Sequence, residues 1–421
     1  MLNQINIRLL YLLSFLFLVL GIVGVALEHY WVLALPLVPV VYILLVYKPK
    51  YILYFLAFST PLSVHLIEER VSTINLSLPT EPLIIVVFGL LLIKLLQIKS
   101  LNFKEVKTLL SILIIVDVGW TLFTTLTSTM PLISAKFLLS KIWYLGVFYF
   151  LLSRLFQNRK VALTFIWCFI VAVVILSFYT LYNHSLGSFT RDYAYTAMRP
   201  FIPDHGMYAA CISFAAPVLF VFLFYGNDFK YSGIQRIAIA GLFAFLLAAI
   251  ALSFTRASWV SIAAAFGVYV VLLLGIKFRY LLFIAIIAIA AVAVNLDDLL
   301  TDLSRNKNES DDNIENHLQS VGNVSSDPSN LERLNRWSCG LRMFEEKPVA
   351  GFGPGTYTFQ YGAFQLPHQM TIISSNSGSQ GGIHSEYLRP LAESGVLGAA
   401  LFIAIVLASF AIGFRQFYNL K

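Results

Sequence analysis

What most constrains this chain is the recurrence of apolar runs close to twenty residues long. They fall at about 7–27, 31–47, 51–64, 82–98, 108–127, 134–153, 161–182, 205–226, 237–254, 257–276, 280–295 and 391–414. A bilayer core about 30 Å thick is crossed by a helix of about twenty apolar residues, whose backbone polar groups are satisfied within the segment. Twelve such runs predict an all-α polytopic membrane protein of about 12 transmembrane helices. Composition agrees, because 58% of the 421 residues are hydrophobic and 12% are charged, against about 25% charged in soluble domains. The third run is short and contains Pro61, so a tilted, kinked or re-entrant segment is expected there. The first run is long for a signal-peptide core and lacks a small-x-small cleavage site, and it reads as a retained span.

The formal net charge of +7 is best read as topology, and no nucleic-acid partner is expected. Lys and Arg collect in cytoplasmic loops. With the N-terminus cytoplasmic, alternate connections should be basic. They are, at Lys48/Lys50, Lys99/Lys104/Lys107, Arg154/Arg159/Lys160, Lys230/Arg236, Lys277/Arg279 and the tail with Arg415 and Lys421. The opposite short connections near 28–30 and 128–132 hold no Lys or Arg. The expected organisation is a bundle of about eleven spans over 1–295, an outer and mainly helical domain over 296–390, and a last span with a cytoplasmic tail over 391–421. No internal repeat is evident, which weakens a transporter built from two related halves.

Basic residues on the outer side stand against the orientation rule. Arg256, in Thr255-Arg256-Ala257-Ser258-Trp259, sits between two spans at the outer surface. Its guanidinium suits phosphate or carboxylate, and an interfacial anchor beside a belt tryptophan is the plainer account. Lys136 and Lys141 lie near the outer end of the sixth run; an unpaired ammonium inside the membrane costs about 2.5–3.5 kcal/mol, so Asp117 is the expected partner of Lys141. An anionic headgroup is the other reading for both lysines. Arg191 and Arg199 flank Tyr193 and Tyr195 and precede Asp204-His205, a pattern suited to carbohydrate and phosphate and equally to an ordinary interfacial loop.

Within the outer segment, 296–327 is acidic and rich in Asn and Ser, with no calcium-loop spacing, and reads as solvated loop. Ser329 and Glu332 form a capping-box pattern that opens a helix. On that helix Leu331, Leu334, Ser338, Leu341 and Phe344 share an apolar face, while Arg333 and Arg336 project from another. It should end near Lys347-Pro348, where Gly351-Phe352-Gly353-Pro354-Gly355 turns the chain. Next comes Gly381-Gly382-Ile383-His384-Ser385-Glu386-Tyr387-Leu388-Arg389. A His and a Glu two residues apart on a Gly-rich loop at the bilayer surface make a candidate general-base site, with Glu386 orienting His384. Cys168 and Cys211 lie in apolar runs and Cys339 stands alone, so no disulfide framework or metal cluster is expected.

Taken together, the Thr255–Trp259 turn, Arg333 with Trp337, Pro348 and the Gly351-x-Gly353-x-Gly355 turn, and His384-x-Glu386-Tyr387-Leu388 with Glu393-x-Gly395-x-x-Gly398 resemble the signatures of the O-antigen ligase and polymerase superfamily. The resemblance covers roughly the second half of the chain and is nearest the ligase branch. It implies a multi-pass enzyme of the bacterial inner membrane whose active site faces the periplasm. Such an enzyme takes a glycan from undecaprenyl diphosphate and joins it to an acceptor hydroxyl, in ligases a sugar of the lipid A–core. No metal or other cofactor is implied.

In the implied mechanism Arg256 and Arg333 hold the diphosphate and His384, oriented by Glu386, takes the acceptor proton. Arg336, Arg191, Arg199, Lys136 and Arg389 are further contacts for the anionic substrate. Because this helix carries two arginines, Arg333 is favoured over Arg336 by its distance to Trp337. A polymerase using a second lipid-linked glycan, a protein O-oligosaccharyltransferase and a lipid-linked glycan transporter are the alternatives. The sequence shows no long soluble C-terminal extension of the kind found in larger members of the protein-modifying group, which argues mildly against those members. The outward clustering of charge argues against transport.

Overall fold

A computed structural model describes residues 7–26, 37–66, 76–97, 108–294, 328–371, 374 and 381–419. Each of the twelve apolar runs falls on a helix, and the strands among the described residues form one short antiparallel hairpin, Val64–Leu66 with Leu76–Leu78. The protein is an all-α polytopic membrane protein. Seven described helices are long and apolar enough to cross a bilayer, from Leu109–Leu126 to Leu388–Asn419. A bent pair, Pro39–Tyr47 and Pro49–Leu62, meets at 117° and makes an eighth if it is one broken span. The bend puts the irregularity expected around Pro61 more than three helical turns earlier, at Lys48-Pro49, where proline at the first helical position starts a new helix instead of continuing the old one. The acidic stretch 296–327 lies outside the described residues.

Chain contacts divide the molecule into two compact units. The first, 1–101 with 146–172, holds the bent pair and Thr80–Gln97. It also holds a π-helical turn, Gly146–Leu151, at the end of the sixth apolar run.

The second unit, 102–145 with 173–421, carries every candidate site residue. Helix Leu109–Leu126 packs on Leu388–Asn419, and the indole of Trp120 donates to the Ser394 carbonyl at 2.8 Å. Lys141, on Pro131–Leu145, pairs with Asp117 at 2.6 Å and donates to Thr121 Oγ1 at 2.8 Å. The expected partner is therefore in place, and the intramembrane ammonium is paired within the protein. Helices Gly233–Ala251 and Arg256–Leu273 meet at the tight corner anticipated at Thr255-Arg256. Trp259 Nε1 reaches back to the Ile250 carbonyl at 3.0 Å and Ser258 Oγ donates to Thr255 O at 2.7 Å.

Candidate active site

The segment 328–371 with 381–390 is built around helix Pro328–Glu346. This helix begins at Pro328, so Ser329 lies within its first turn. Glu332 does not serve as the expected capping residue, because its carboxylate is spent elsewhere. The inward face also differs from the one anticipated. Glu332, Asn335, Arg336, Cys339 and Met343 are buried, whereas Leu341 is exposed and Leu331, Leu334 and Phe344 are only part-buried. These five share a face at helical spacing. Cys339 and Met343 pack against Phe352, Tyr357, Tyr361, Ile383 and Ala392.

Burial of this polar stripe is tolerable because its members are bonded. Glu332 Oε1 accepts from Arg336 Nε at 2.7 Å; its Oε2 accepts from Thr371 Oγ1 at 2.9 Å and from Ser374. Asn335 Nδ2 donates to Gln365 Oε1 at 2.9 Å. Burial by itself would raise the Glu332 pKa, but the bonds from Ser374, Arg336 and Thr371 outweigh it and hold the carboxyl below its ordinary value.

Arg336 is the hub. Its guanidinium lies 5.5 Å from the centre of the Tyr361 ring, donates to the Gly382 carbonyl at 3.0 Å, and has Nη1 3.3 Å from His384 Nε2. A guanidinium only donates, so Nε2 is the acceptor and the ring is the neutral tautomer with its hydrogen on Nδ1. His384 stands at the surface in the left-handed region, φ 55°. Partial desolvation, then the charges of Arg336 and Arg333, push its pKa below the usual histidine value, with Glu332 and Asp204 opposing. Arg333 is exposed one turn before Arg336, on the side from which its charge acts on His384.

Glu386 does not orient His384. Its carboxylate pairs with Arg389, one turn further on; Glu386 is exposed and Arg389 part-buried. The two-residue spacing suggested a His–Glu couple, but His384 meets Arg336 and Glu386 meets Arg389.

The carboxylate that grips this region is Glu393. It is buried, with Oε2 accepting from Gly355 N at 2.9 Å and Oε1 from Tyr357 N at 3.0 Å, so it anchors the glycine turn to the last helix. Gly353 N donates to Glu393 O at 2.8 Å and Phe352 N to Ala392 O at 3.1 Å. Gly395 interrupts the helix with φ 70°, and Val396 N donates to the Pro348 carbonyl at 2.9 Å. A Cβ on Gly395 would overlap Val349 O, and one on Gly353 would overlap Ser128. Gly395 thus allows two backbones to touch, and Gly353 lets the glycine turn close against the Ser128 side chain. Beside them a cleft of about 470 Å³ is bordered by Asp117, Lys141, Glu386, Arg389 and Glu393.

The remaining candidates are spread over the second unit. Arg256 is part-buried at the first position of its helix, and Lys136 is exposed on Pro131–Leu145. Arg191 donates to Tyr195 Oη at 2.6 Å and lies over that ring. Arg199 is exposed and donates to Pro203 O at 3.3 Å. Asp204 caps helix His205–Phe224 by accepting from Met207 N at 3.0 Å, and His205 rests against Tyr195.

Residues 241–403 match the family model described as O-antigen ligase. That stretch of the chain belongs to the O-antigen ligase superfamily. No curated protein and no solved structure matches the chain. O-antigen ligase membership implies a membrane glycosyltransferase of the ligase or polymerase type. The matched stretch contains Arg256, Arg333, Arg336, His384, Glu386, Arg389 and Glu393, and leaves Lys136, Arg191 and Arg199 outside it.

Proposed function

We propose that the protein transfers an O-antigen-type glycan from undecaprenyl diphosphate to an acceptor hydroxyl, with lipid A–core the favoured acceptor, at the periplasmic face of a bacterial inner membrane. The observation that carries this reading is the contact of a neutral, surface-placed His384 with Arg336 inside the O-antigen ligase segment. In the reaction, the acceptor oxygen forms a bond to the anomeric carbon as the carbon–oxygen bond to the diphosphate breaks. The bonding pair leaves on the phosphate oxygen, and the hydroxyl proton passes to His384. Direct displacement inverts the anomeric centre.

Arg333 and Arg256 offset the charge that develops on the departing diphosphate, as fixed cations do in other electrostatically assisted transfers. Arg336 has a different task. It is buried and paired with Glu332, and it keeps the imidazole neutral until an acceptor hydroxyl displaces the Nη1–Nε2 contact. Arg191, Arg199, Lys136 and Arg389 are further contacts for the glycan or its lipid in this reading.

The test is transfer by purified protein in liposomes supplied with an undecaprenyl-diphosphate glycan, with EDTA present and a His384→Ala control. Glycan appearing on lipid A–core, and lost in the variant, supports the assignment. Chain growth with donor alone identifies a polymerase. Full activity in His384→Ala sinks the mechanism.

A further inference from the structure

His184, in the second unit, is a buried imidazole with no part in the transfer chemistry. It stands in the last turn of helix Arg159–Leu186, and only 1% of it is exposed. Its Nε2 lies 2.8 Å from the Thr190 carbonyl oxygen. A carbonyl only accepts, so this nitrogen carries the hydrogen and donates. The backbone carbonyl of His184 in turn accepts from Gly187 N and Phe189 N, both at 3.1 Å. One residue therefore binds the turn 187–190 through side chain and backbone, and Arg191 follows that turn directly.

The ring also makes two edge contacts. Its centre is 5.2 Å from that of Phe189, at 71°, and 6.3 Å from that of Phe254, at 76°. Both separations fall in the range of favourable edge-to-face pairs. Phe189 belongs to the same turn. Phe254 comes from the corner between helices Gly233–Ala251 and Arg256–Leu273, is buried, and stands two residues before Arg256.

Positive φ marks the same place. Among the described residues, five that are not glycine adopt it: Ser188, Phe189, Lys230, Phe254 and His384. Ser188, Phe189 and Phe254, at 55°, 57° and 49°, lie on the two turns that meet at His184. Bulky side chains hold this region only where their surroundings over-determine it. A leucine at 184 would fill the space without burying a polar nitrogen, but it would give the Thr190 carbonyl no donor. An imidazole supplies both a flat ring for the two phenylalanines and a hydrogen for the turn.

We propose that His184 is a positioning residue, fastening the corner that carries Arg256 to the turn that leads into Arg191. Arg256 lies inside the O-antigen ligase match and Arg191 outside it, so the histidine joins a cation of the family segment to one that the match leaves out. The fastening is a property of the fold, while its effect on substrate rests on the transfer reading above.

The experiment follows amide exchange of the full-length protein in mild detergent, over 187–191 and 253–258, with helix Pro328–Glu346 as internal reference. His184→Gln keeps a donor and loses the ring, and should speed exchange over 253–258 by about fivefold while sparing 187–191. His184→Phe keeps a ring and loses the donor, and should do the reverse, again by about fivefold. The same pattern in both variants, or an unchanged 253–258 in His184→Gln, overturns the proposal. Equal quickening of the reference helix also overturns it, since the histidine would then be an ordinary packing residue. Retention of undecaprenyl diphosphate, read by native mass spectrometry, tests the consequence for substrate. His184→Gln should weaken retention about fivefold, but by less than about twofold further in an Arg256→Ala background, because the two act through one group. A full further loss in that background shows that the histidine does not act through Arg256, and overturns the proposal. A wild type that retains no undecaprenyl diphosphate, with the exchange pattern as expected, upholds the fastening and sinks the transfer reading instead.

Discussion

Arg336 and His384, 48 positions apart in the chain, meet with Nη1 3.3 Å from Nε2. The same guanidinium is clamped on its other side by Glu332, four residues earlier on its own helix. A buried cation therefore faces an imidazole at the surface. The contact is compatible only with a ring nitrogen that carries no hydrogen.

Replacing His384 should remove proton acceptance without removing the binding surface. We expect His384→Ala to lower kcat for glycan transfer by about 10²–10⁴-fold, the usual range for a general base, with a small change in KM. Steady-state transfer in liposomes measures both. A change confined to KM would assign His384 to binding instead.

Because the His384 pKa is held below its ordinary 6.5, the ring is neutral at pH 7. Transfer should be at its plateau above that value and fall as pH drops through the lowered pKa. Arg336→Gln removes a neighbouring positive charge, so protonation becomes easier and the acid limb should move to higher pH. A pH–rate profile of the two proteins checks the direction.

Glu332→Gln leaves the Arg336 cation buried without its counter-charge. Breaking such a pair costs about 3–5 kcal/mol, and thermal unfolding in detergent should show it. The sign of the pH dependence follows from the depressed pKa of Glu332. Its contribution is fully present above the ordinary glutamate value of 4.5 and is lost as pH falls through the lowered one.

Glu386→Ala should be mild. Glu386 is exposed and its partner Arg389 only part-buried, and surface pairs of this kind contribute about 0–1 kcal/mol. The pH–rate profile should stay where it is in the wild type, because His384 takes its environment from Arg336 and not from Glu386. A shifted acid limb would restore the His–Glu couple that the spacing suggested.

Gly395→Ala should destabilise by about 2 kcal/mol or more, since φ 70° with extended ψ is a region held almost solely by glycine. The added Cβ would also overlap the Val349 carbonyl. Gly413→Ala, on the same helix with open space around it, is the control and should change stability by less than about 0.5 kcal/mol. Thermal shift of the two variants compares them directly.

How the chain divides between sequence and structure depends on which forces act locally. The apolar runs found their helices because a membrane span must satisfy its own backbone, so length and composition suffice. Lys141 could be matched to Asp117 in advance, since an intramembrane ammonium needs a partner and few are present. The glycine turn was legible too, because side chains are strained at positive φ, and Gly351, Gly353 and Gly355 all adopt it. Arg333, Arg336 and His384 were recognisable as candidates from residue type and order.

Only the tertiary structure decided what those residues touch. Hydrophobic spacing pointed the 328–346 helix inward by its leucines, yet Glu332, Asn335 and Arg336 went in, because Gln365, Thr371, Ser374 and Tyr361 supply their partners from distant chain. The Glu332–Arg336 spacing of four with Cys339 and Met343 behind it was the available signal. It was outweighed by the apolar count. Spacing alone likewise coupled His384 to Glu386, while the fold gives His384 to Arg336 and Glu386 to Arg389. Glu393 gave no hint of gripping the backbone of Gly355 and Tyr357. Period and composition report what a segment can bury, but polar burial is settled by where the bonding partners arrive, and these arrive from 25 to 48 positions away.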